Sequence, residues 1–442
     1  MNRAAIILAA GAGTRMKSGT AKVLHQVAGL PMLGHVIAGL KAAGVSRIVV
    51  VTAPGAEDVR AYAAAQGCQT AVQDKQLGTG HAAAAAGAAL KDFDGELMIA
   101  YGDMPLMTAS TFEASFQARG QGLAIVAFRA ADPGAYGRVI LKANGTLDRI
   151  VEFKDANEAE RKTDLCNAGV LAADARKFFD WVAKLDNKNA QGEFYLTDVP
   201  ALAARDGAVC AVATVAEDDA LGVNSRAELA EAERRMQNRL RGRALAAGVG
   251  MIAPETVYLC HDTVLEADVS IEPFVVFGPK VKIASGAQIR AHSHIEGADV
   301  ASNAVIGPFA RLRPGAVIGE GAHIGNFVEI KNAVIDAGAK ANHLTYLGDA
   351  HVGAGANIGA GVITCNYDGF GKYKTEIGAG AFIGSDTSLV APVKVGAGAI
   401  TAAGSVITKD VEADAMAVAR GQQVEKPGWA KAFRDWKKKE KS

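Results

Sequence analysis

Ala304-Val305-Ile306-Gly307-Pro308-Phe309, Ala310-Arg311-Leu312-Arg313-Pro314-Gly315, Ala316-Val317-Ile318-Gly319-Glu320-Gly321, Ala322-His323-Ile324-Gly325-Asn326-Phe327: read in sixes, this stretch places an aliphatic residue at the same position four times running. The spacing extends backward through Ile271, Phe277, Ile283, Ile289, Ile295 and Val300. It extends forward through Ile330, Val352, Ile358, Ile377, Ile383, Leu389 and Val395. A helix needs a period near 3.6 and a plain strand a period of 2, so six fits neither alone. It fits a parallel β-helix, where each repeat is one short strand and a corner with its aliphatic side chain pointing into the coil. Glycine directly follows many of these residues, as in Ile318-Gly319, Ile324-Gly325, Ile358-Gly359 and Ile383-Gly384, and lets the chain turn without a Cβ clash. Two interruptions are expected, near residues 336–350 and at 365–375. The second contains Cys365-Asn366-Tyr367-Asp368-Gly369-Phe370-Gly371 and reads as a loop expelled from the coil, the kind of place where sites sit.

Ahead of the repeat the pattern changes. Apolar strands at residues 4–8, 48–52 and 97–101 alternate with helical stretches, including an alanine-rich one at 81–91, which predicts a mainly parallel α/β sheet over residues 1–224. A connecting helix is expected over 225–248. Ser225 and Glu228 would form its capping box, Leu229, Ala232, Met236 and Leu240 one apolar face, and Gly248 its C-cap. The repeat domain then covers 249–442, ending in a basic tail from Lys426 expected to be loosely ordered.

A chain of 442 residues has room for such domains. Zero formal net charge argues against a general nucleic-acid or membrane-surface protein. No apolar run reaches the ~18 residues needed to cross a bilayer. The five cysteines are odd in number and scattered without a CxxC pair, which fits reduced thiols in a cytoplasm.

The first strand runs into Gly11-Ala12-Gly13-Thr14-Arg15-Met16-Lys17, with Lys22 soon after. Glycines after a strand let backbone N–H groups approach phosphates. The dinucleotide fingerprint would need a third glycine where Met16 stands and an acidic residue about 20 positions on, but no acid precedes Glu57. The Gly-Lys-Ser/Thr of a Walker A loop is also absent. An acid-free segment carrying Arg3, Arg15, Lys17, Lys22, Lys41 and Arg47 points to a polyphosphate ligand. Asp103 follows the strand at 97–101, beyond the carboxyl end where α/β sheets bind ligands, and suits a hard cation such as Mg²⁺. In the repeat, about three hexapeptides per turn would stack residues 18 apart. Arg313 would then lie over Lys331, a pair that suggests an anion site, and Ser385 and Ala403 would share a face. His343, in Asn342-His343-Leu344-Thr345-Tyr346, is a candidate general base near neutral pH.

Leu8-Ala9-Ala10-Gly11-Ala12-Gly13-Thr14-Arg15-Met16 with Lys22, then Gln73, Leu77-Gly78-Thr79-Gly80-His81 and Tyr101-Gly102-Asp103, resembles the signature of sugar-1-phosphate nucleotidyltransferases. The order of domains resembles the bacterial bifunctional N-acetylglucosamine-1-phosphate uridyltransferases/glucosamine-1-phosphate acetyltransferases over nearly the whole chain. This resemblance implies a Rossmann-like nucleotidyltransferase domain, a connecting helix and a left-handed parallel β-helix that trimerises. It implies UTP and acetyl-coenzyme A as co-substrates and a place in cell-wall biogenesis. Gly11, Arg15 and Lys22 would meet the triphosphate, with Arg15 and Lys22 catalytic. Gln73, Gly78 and Thr79 would frame the uracil nucleotide, Gly137, Glu152 and Asn167 would hold the N-acetylglucosamine, and Leu8, Ala9, Ala10, Tyr101 and Gly102 would also bind substrate. Asp103 and Asn224 would hold Mg²⁺. Arg313, Lys331, Tyr346, Asn357 and Asn366 would bind the amino-sugar phosphate beside the base His343, and Tyr367 would border the acetyl-coenzyme A site. Ala360, Ser385, Ala403 and Arg420 would line the acetyl-coenzyme A site. Two other readings stay open: a β-helix that only assembles subunits, and one that holds zinc through His323, His343 and His351.

Overall fold

The computed structural model describes residues 2–440. The chain forms two compact units divided between residues 240 and 241. In the first, the strand order is Cys210–Val215, Leu123–Arg129, Leu165–Asp174, Glu96–Tyr101, Arg3–Ala9, Arg47–Thr52, Gln69–Val72, with the hairpin Arg138–Leu141/Leu147–Val151 attached at one point. The strands along the main path pair in parallel, as expected, except Leu165–Asp174, which runs antiparallel to both neighbours and makes the sheet mixed. Strands of continuous apolar sequence serve both faces. Alternate residues divide accordingly: Ala4, Ile6 and Leu8 belong to one core, Ala5 and Ile7 to the other. The alanine-rich stretch is shorter as a helix than expected, Thr79–Ala85 followed by a single turn at Ala88–Leu90.

The helix Arg226–Ala246 packs Leu229, Ala232, Met236 and Leu240 against Val27, Met32, Leu106 and Val223. Half of the expected capping box forms. The Glu228 N–H donates to Ser225 Oγ at 3.3 Å, but the Glu228 carboxylate accepts from the N–H of Asn224 at 2.6 Å instead of from Ser225. Gly248 takes the left-handed conformation, φ 91°, just past the helix end.

The second unit is three parallel stacks, of ten, eight and eight strands, to which each coil adds one strand apiece. This is the left-handed parallel β-helix of hexapeptide repeats. Ile271, Ile289, Ile306 and Ile324 stack in one column, each at most 1 % exposed. The expected interruption at 336–350 does not exist. The strands Lys340–His343, Tyr346–Gly348 and Ala350–Val352 continue the three stacks, so His343 lies at a coil corner rather than in an expelled loop. The interruption at 365–375 is real. Ile358 pairs with Ile383, a spacing of 25 residues where the next coil, Ile383 with Thr401, has 18. One corner carries an exposed column of stacked rings, Phe274, His292, Phe309 and Phe327, with centroids 5.0, 4.8 and 5.2 Å apart. The tail holds a helix, Trp429–Lys439, where loose order was expected; Trp429 and Phe433 stack at 5.2 Å on its surface. Among the described residues no helix is long and apolar enough to cross a membrane.

Candidate active sites

In the first unit a cleft of about 320 Å³ lies at the carboxyl end of the sheet. It is lined by Leu8, Ala9, Ala10, Gly11, Lys22, Gln73, Gly78, Thr79, Tyr101, Asp103 and Asn224, and thus gathers eleven of the sequence-selected residues. Gly102 donates its N–H to Leu8 O and holds the two strand ends together. Gly78 is required by geometry: at φ 108° a Cβ would stand 2.6 Å from Phe194 O. Gln73 is 3 % exposed and donates to Gly78 O at 3.0 Å, so the side chain fixes the same loop.

Lys22 Nζ sits between a carboxylate oxygen of Asp103 and Asn224 Oδ1, the latter at 3.0 Å. Two segments 121 residues apart thus aim an anionic and a neutral oxygen at one cation. That donor set, hard oxygens only, fits Mg²⁺. Arg15 stands outside this cleft, exposed and without a hydrogen-bond or ion-pair partner among the described residues. Beside the cleft, Asn167 takes the amide of Gly169 at 3.1 Å and gives its own to Gly137 O at 2.8 Å. Glu152 accepts from Thr197 Oγ1 at 3.0 Å, and its burial pushes its carboxyl above the ordinary range. Burial, aided by Glu152, raises the Tyr101 phenol as well. Gln76, which donates to Ala10 O at 2.7 Å, and Glu193 also line the cleft and were missed. Neither lies in a patterned stretch.

In the β-helix, three backbone hydrogen bonds and one side-chain bond set five selected residues one above another. Gly361 donates to His343 O, Asp386 to Ala360 O and Gly404 to Ser385 O, and the Arg420 side chain donates from Nη1 to Ala403 O at 2.8 Å. His343 is exposed, with Nδ1 2.8 Å from Asn326 Oδ1. Arg313 pairs with Glu329 at 2.7 Å, a partner that spacing alone did not show. Lys331 is held below its ordinary value by the Lys372 ammonium first and by Arg313 further off. Lys372, from the expelled loop, was also missed. Asn366 is 7 % exposed and donates to Asp349 at 2.5 Å, while Asn332 donates to the other carboxylate oxygen at 2.6 Å. The Tyr346 hydroxyl and the Asn366 amide crowd over Gly348, where a Cβ would meet them at 2.3 and 2.9 Å. Asn357 pairs in register with Lys340, three residues before Ala360. Tyr367 is exposed and caps its own loop through Gly369 O at 2.7 Å. Among the described residues His323, His343 and His351 form no metal-binding group, and His351 is taken up by Asp336 at 2.8 Å.

Residues 5–169 match the MobA-like NTP transferase domain, and residues 297–332 and 374–409 match the bacterial transferase hexapeptide (six repeats). The chain is 54 % identical to the bifunctional protein GlmU of Sphingopyxis alaskensis over 99 % of this chain and 98 % of that one. It is 55 % identical to that of Acidiphilium cryptum over 98 % and 99 %, and 51 % identical to that of Paramagnetospirillum magneticum over 98 % and 96 %. The chain belongs to the bifunctional GlmU family of uridyltransferase–acetyltransferases, which make UDP-N-acetylglucosamine in two steps.

Proposed function

We propose that the β-helix acetylates glucosamine-1-phosphate from acetyl-coenzyme A, and that the N-terminal unit then transfers uridylyl from UTP to the N-acetylglucosamine-1-phosphate. What supports this division is that the cleft around Lys22, Asp103 and Asn224 and the residues around His343 fall in separate compact units. In the first reaction the amine attacks the thioester carbonyl, His343 Nε2 takes the amine proton, and coenzyme A leaves as the thiolate. Arg313, Lys331 and Lys372 receive the sugar phosphate, with Tyr346, Asn357, Asn366 and Tyr367 around the sugar. The column Ala360–Ser385–Ala403, closed by Arg420, receives acetyl-coenzyme A.

In the second reaction the sugar phosphate attacks the α-phosphorus in line and pyrophosphate leaves, so positioning and charge neutralisation supply the catalysis. Gly11 and its neighbours cradle phosphates, Arg15 swings in from solvent, and Gln73, Gly78 and Thr79 frame the base. Gly137, Glu152 and Asn167 hold the N-acetylglucosamine. Asp103 and Asn224 would hold Mg²⁺, which would supply positive charge at the phosphates, and the Lys22 ammonium beside them adds charge for the triphosphate. The divalent-metal dependence typical of the family supports this arrangement.

The ring column supports a homotrimer. Its 4.8–5.2 Å repeat matches the strand spacing of a β-helix, so a partner of equal pitch and parallel axis, a copy of this chain, fits it along its length. We place the enzyme in the cytoplasm, acting on small molecules and not on nucleic acid or membrane, as a supplier of cell-wall precursor. Incubation with glucosamine-1-phosphate, acetyl-coenzyme A, UTP and Mg²⁺ should yield UDP-N-acetylglucosamine, coenzyme A and pyrophosphate by mass. Absence of acetylated product would leave a uridyltransferase whose β-helix only assembles subunits.

A further inference from the structure

We infer that Asn326 is a positioning residue for acetyl transfer: its amide oxygen fixes the His343 ring in the tautomer that carries its proton on Nδ1 and leaves the Nε2 lone pair free. Asn326 and His343 are direct partners in adjacent coils, and Asn326 Oδ1 lies 2.8 Å from His343 Nδ1. An amide oxygen can only accept, so Nδ1 must donate and Nε2 is left as the basic nitrogen.

The frame around the pair is stiff. Asn326 O accepts from the Leu344 N–H at 3.1 Å, Thr345 Oγ1 donates to His343 O at 2.7 Å, and the buried Gly325 lies against the Asn342 carbonyl. The partner's chemistry matters as well as its place. A carboxylate at position 326 would make the same hydrogen bond but stabilise the imidazolium, whereas the neutral amide orients the ring without adding charge. A base that must accept a proton from an amine in each turnover is better served by the neutral partner.

The inference rests on His343 as the base, and the test keeps the two apart. In protein labelled with ¹⁵N-histidine, with the His343 signals assigned by their loss in His343→Ala, the wild type should show the Nδ1–H tautomer above the imidazole titration. Asn326→Ala should move it to the Nε2–H form, and Asn326→Asp should restore Nδ1–H. Should Asn326→Ala fail to fold, Asn326→Leu keeps the volume and removes the acceptor. In parallel, kcat for acetyl transfer should fall about tenfold in the Ala or Leu variant, the worth of one orienting hydrogen bond, with KM for glucosamine-1-phosphate within about twofold. Uridylyl transfer should not change. An unmoved tautomer in the Ala or Leu variant overturns the inference. So does a moved tautomer with kcat intact, or an equal loss through KM. If His343→Ala itself keeps full acetyl transfer, the base assignment fails instead, whatever the tautomer does.

Discussion

Lys22 and Asp103 carry opposite charges and are partly buried side by side, and each is recognisable from sequence only by the motif that surrounds it. Their pairing was not legible, because 81 residues separate them and only the parallel sheet brings the two loops together. The same holds for Glu152. Burial raises its carboxyl above the ordinary range, so between that range and its folded value the native state holds a proton that the unfolded chain releases. Its contribution to stability is therefore present below the ordinary carboxylate pKa and lost as pH rises through the folded one. Glu152→Gln should raise the thermal midpoint at pH 8, and the gain should vanish toward pH 4. Affinity for N-acetylglucosamine-1-phosphate should fall in the same variant. Calorimetry across that range checks the sign: a gain that grows toward acid contradicts it.

Arg313 and Lys331 were legible as a stacked cationic pair, but Glu329 already serves Arg313, so Lys331 with Lys372 is the less compensated pair. Lys331→Ala should raise KM for glucosamine-1-phosphate about tenfold, the worth of one charge-assisted hydrogen bond. The rise should be much smaller for glucosamine lacking the phosphate, and sulfate should compete with the sugar phosphate in the wild type. Equal losses with both acceptors would rule out an anion contact.

Within the coil, glycine after the aliphatic residue is dictated by neighbouring backbone. At Gly325 a Cβ would stand 2.1 Å from Asn342 O, a backbone atom that cannot step aside. Gly325→Ala should destabilise the β-helix by about 1–3 kcal/mol and slow acetyl transfer, because Asn326 and His343 flank the clash, while uridylyl transfer stays normal. Denaturant unfolding with both assays reads this directly. That local rule is why the β-helix was legible in the sequence. It also explains the false interruption at 336–350. There the coil spacing shortens to 17 residues, Ile324 over Ala341 and Ile330 over Leu347, and the inward position at 341 is an alanine too small to mark the pattern. The capping box and the tail helix fail for a different reason. A competing donor, the Asn224 N–H, captures the Glu228 carboxylate, and an amphipathic basic segment reads like a solvated end.

At the scale of the whole molecule, both functional classes were legible because each domain carries a local repeat or motif. The loop-borne Lys372, Gln76 and Glu193 were not, since no period or motif marks them. The proposed assembly rests on the ring column, whose Phe309 and Phe327 are 46 % and 55 % exposed. Phe327→Asp places a charge in that seam and should convert a trimer to monomer by light scattering, without loss of β-helix circular dichroism. A trimer that persists would put the interface on another corner. The central claim is that one chain holds two separable reactions. The direct measurement follows products by mass with glucosamine-1-phosphate, acetyl-coenzyme A, UTP and Mg²⁺ in two folded variants. Asp103→Ala should accumulate N-acetylglucosamine-1-phosphate and make no UDP-sugar. His343→Ala should acetylate about 10²–10⁴-fold more slowly, yet make UDP-N-acetylglucosamine at the normal rate when given N-acetylglucosamine-1-phosphate. Loss of both reactions in either variant would contradict the two-site account.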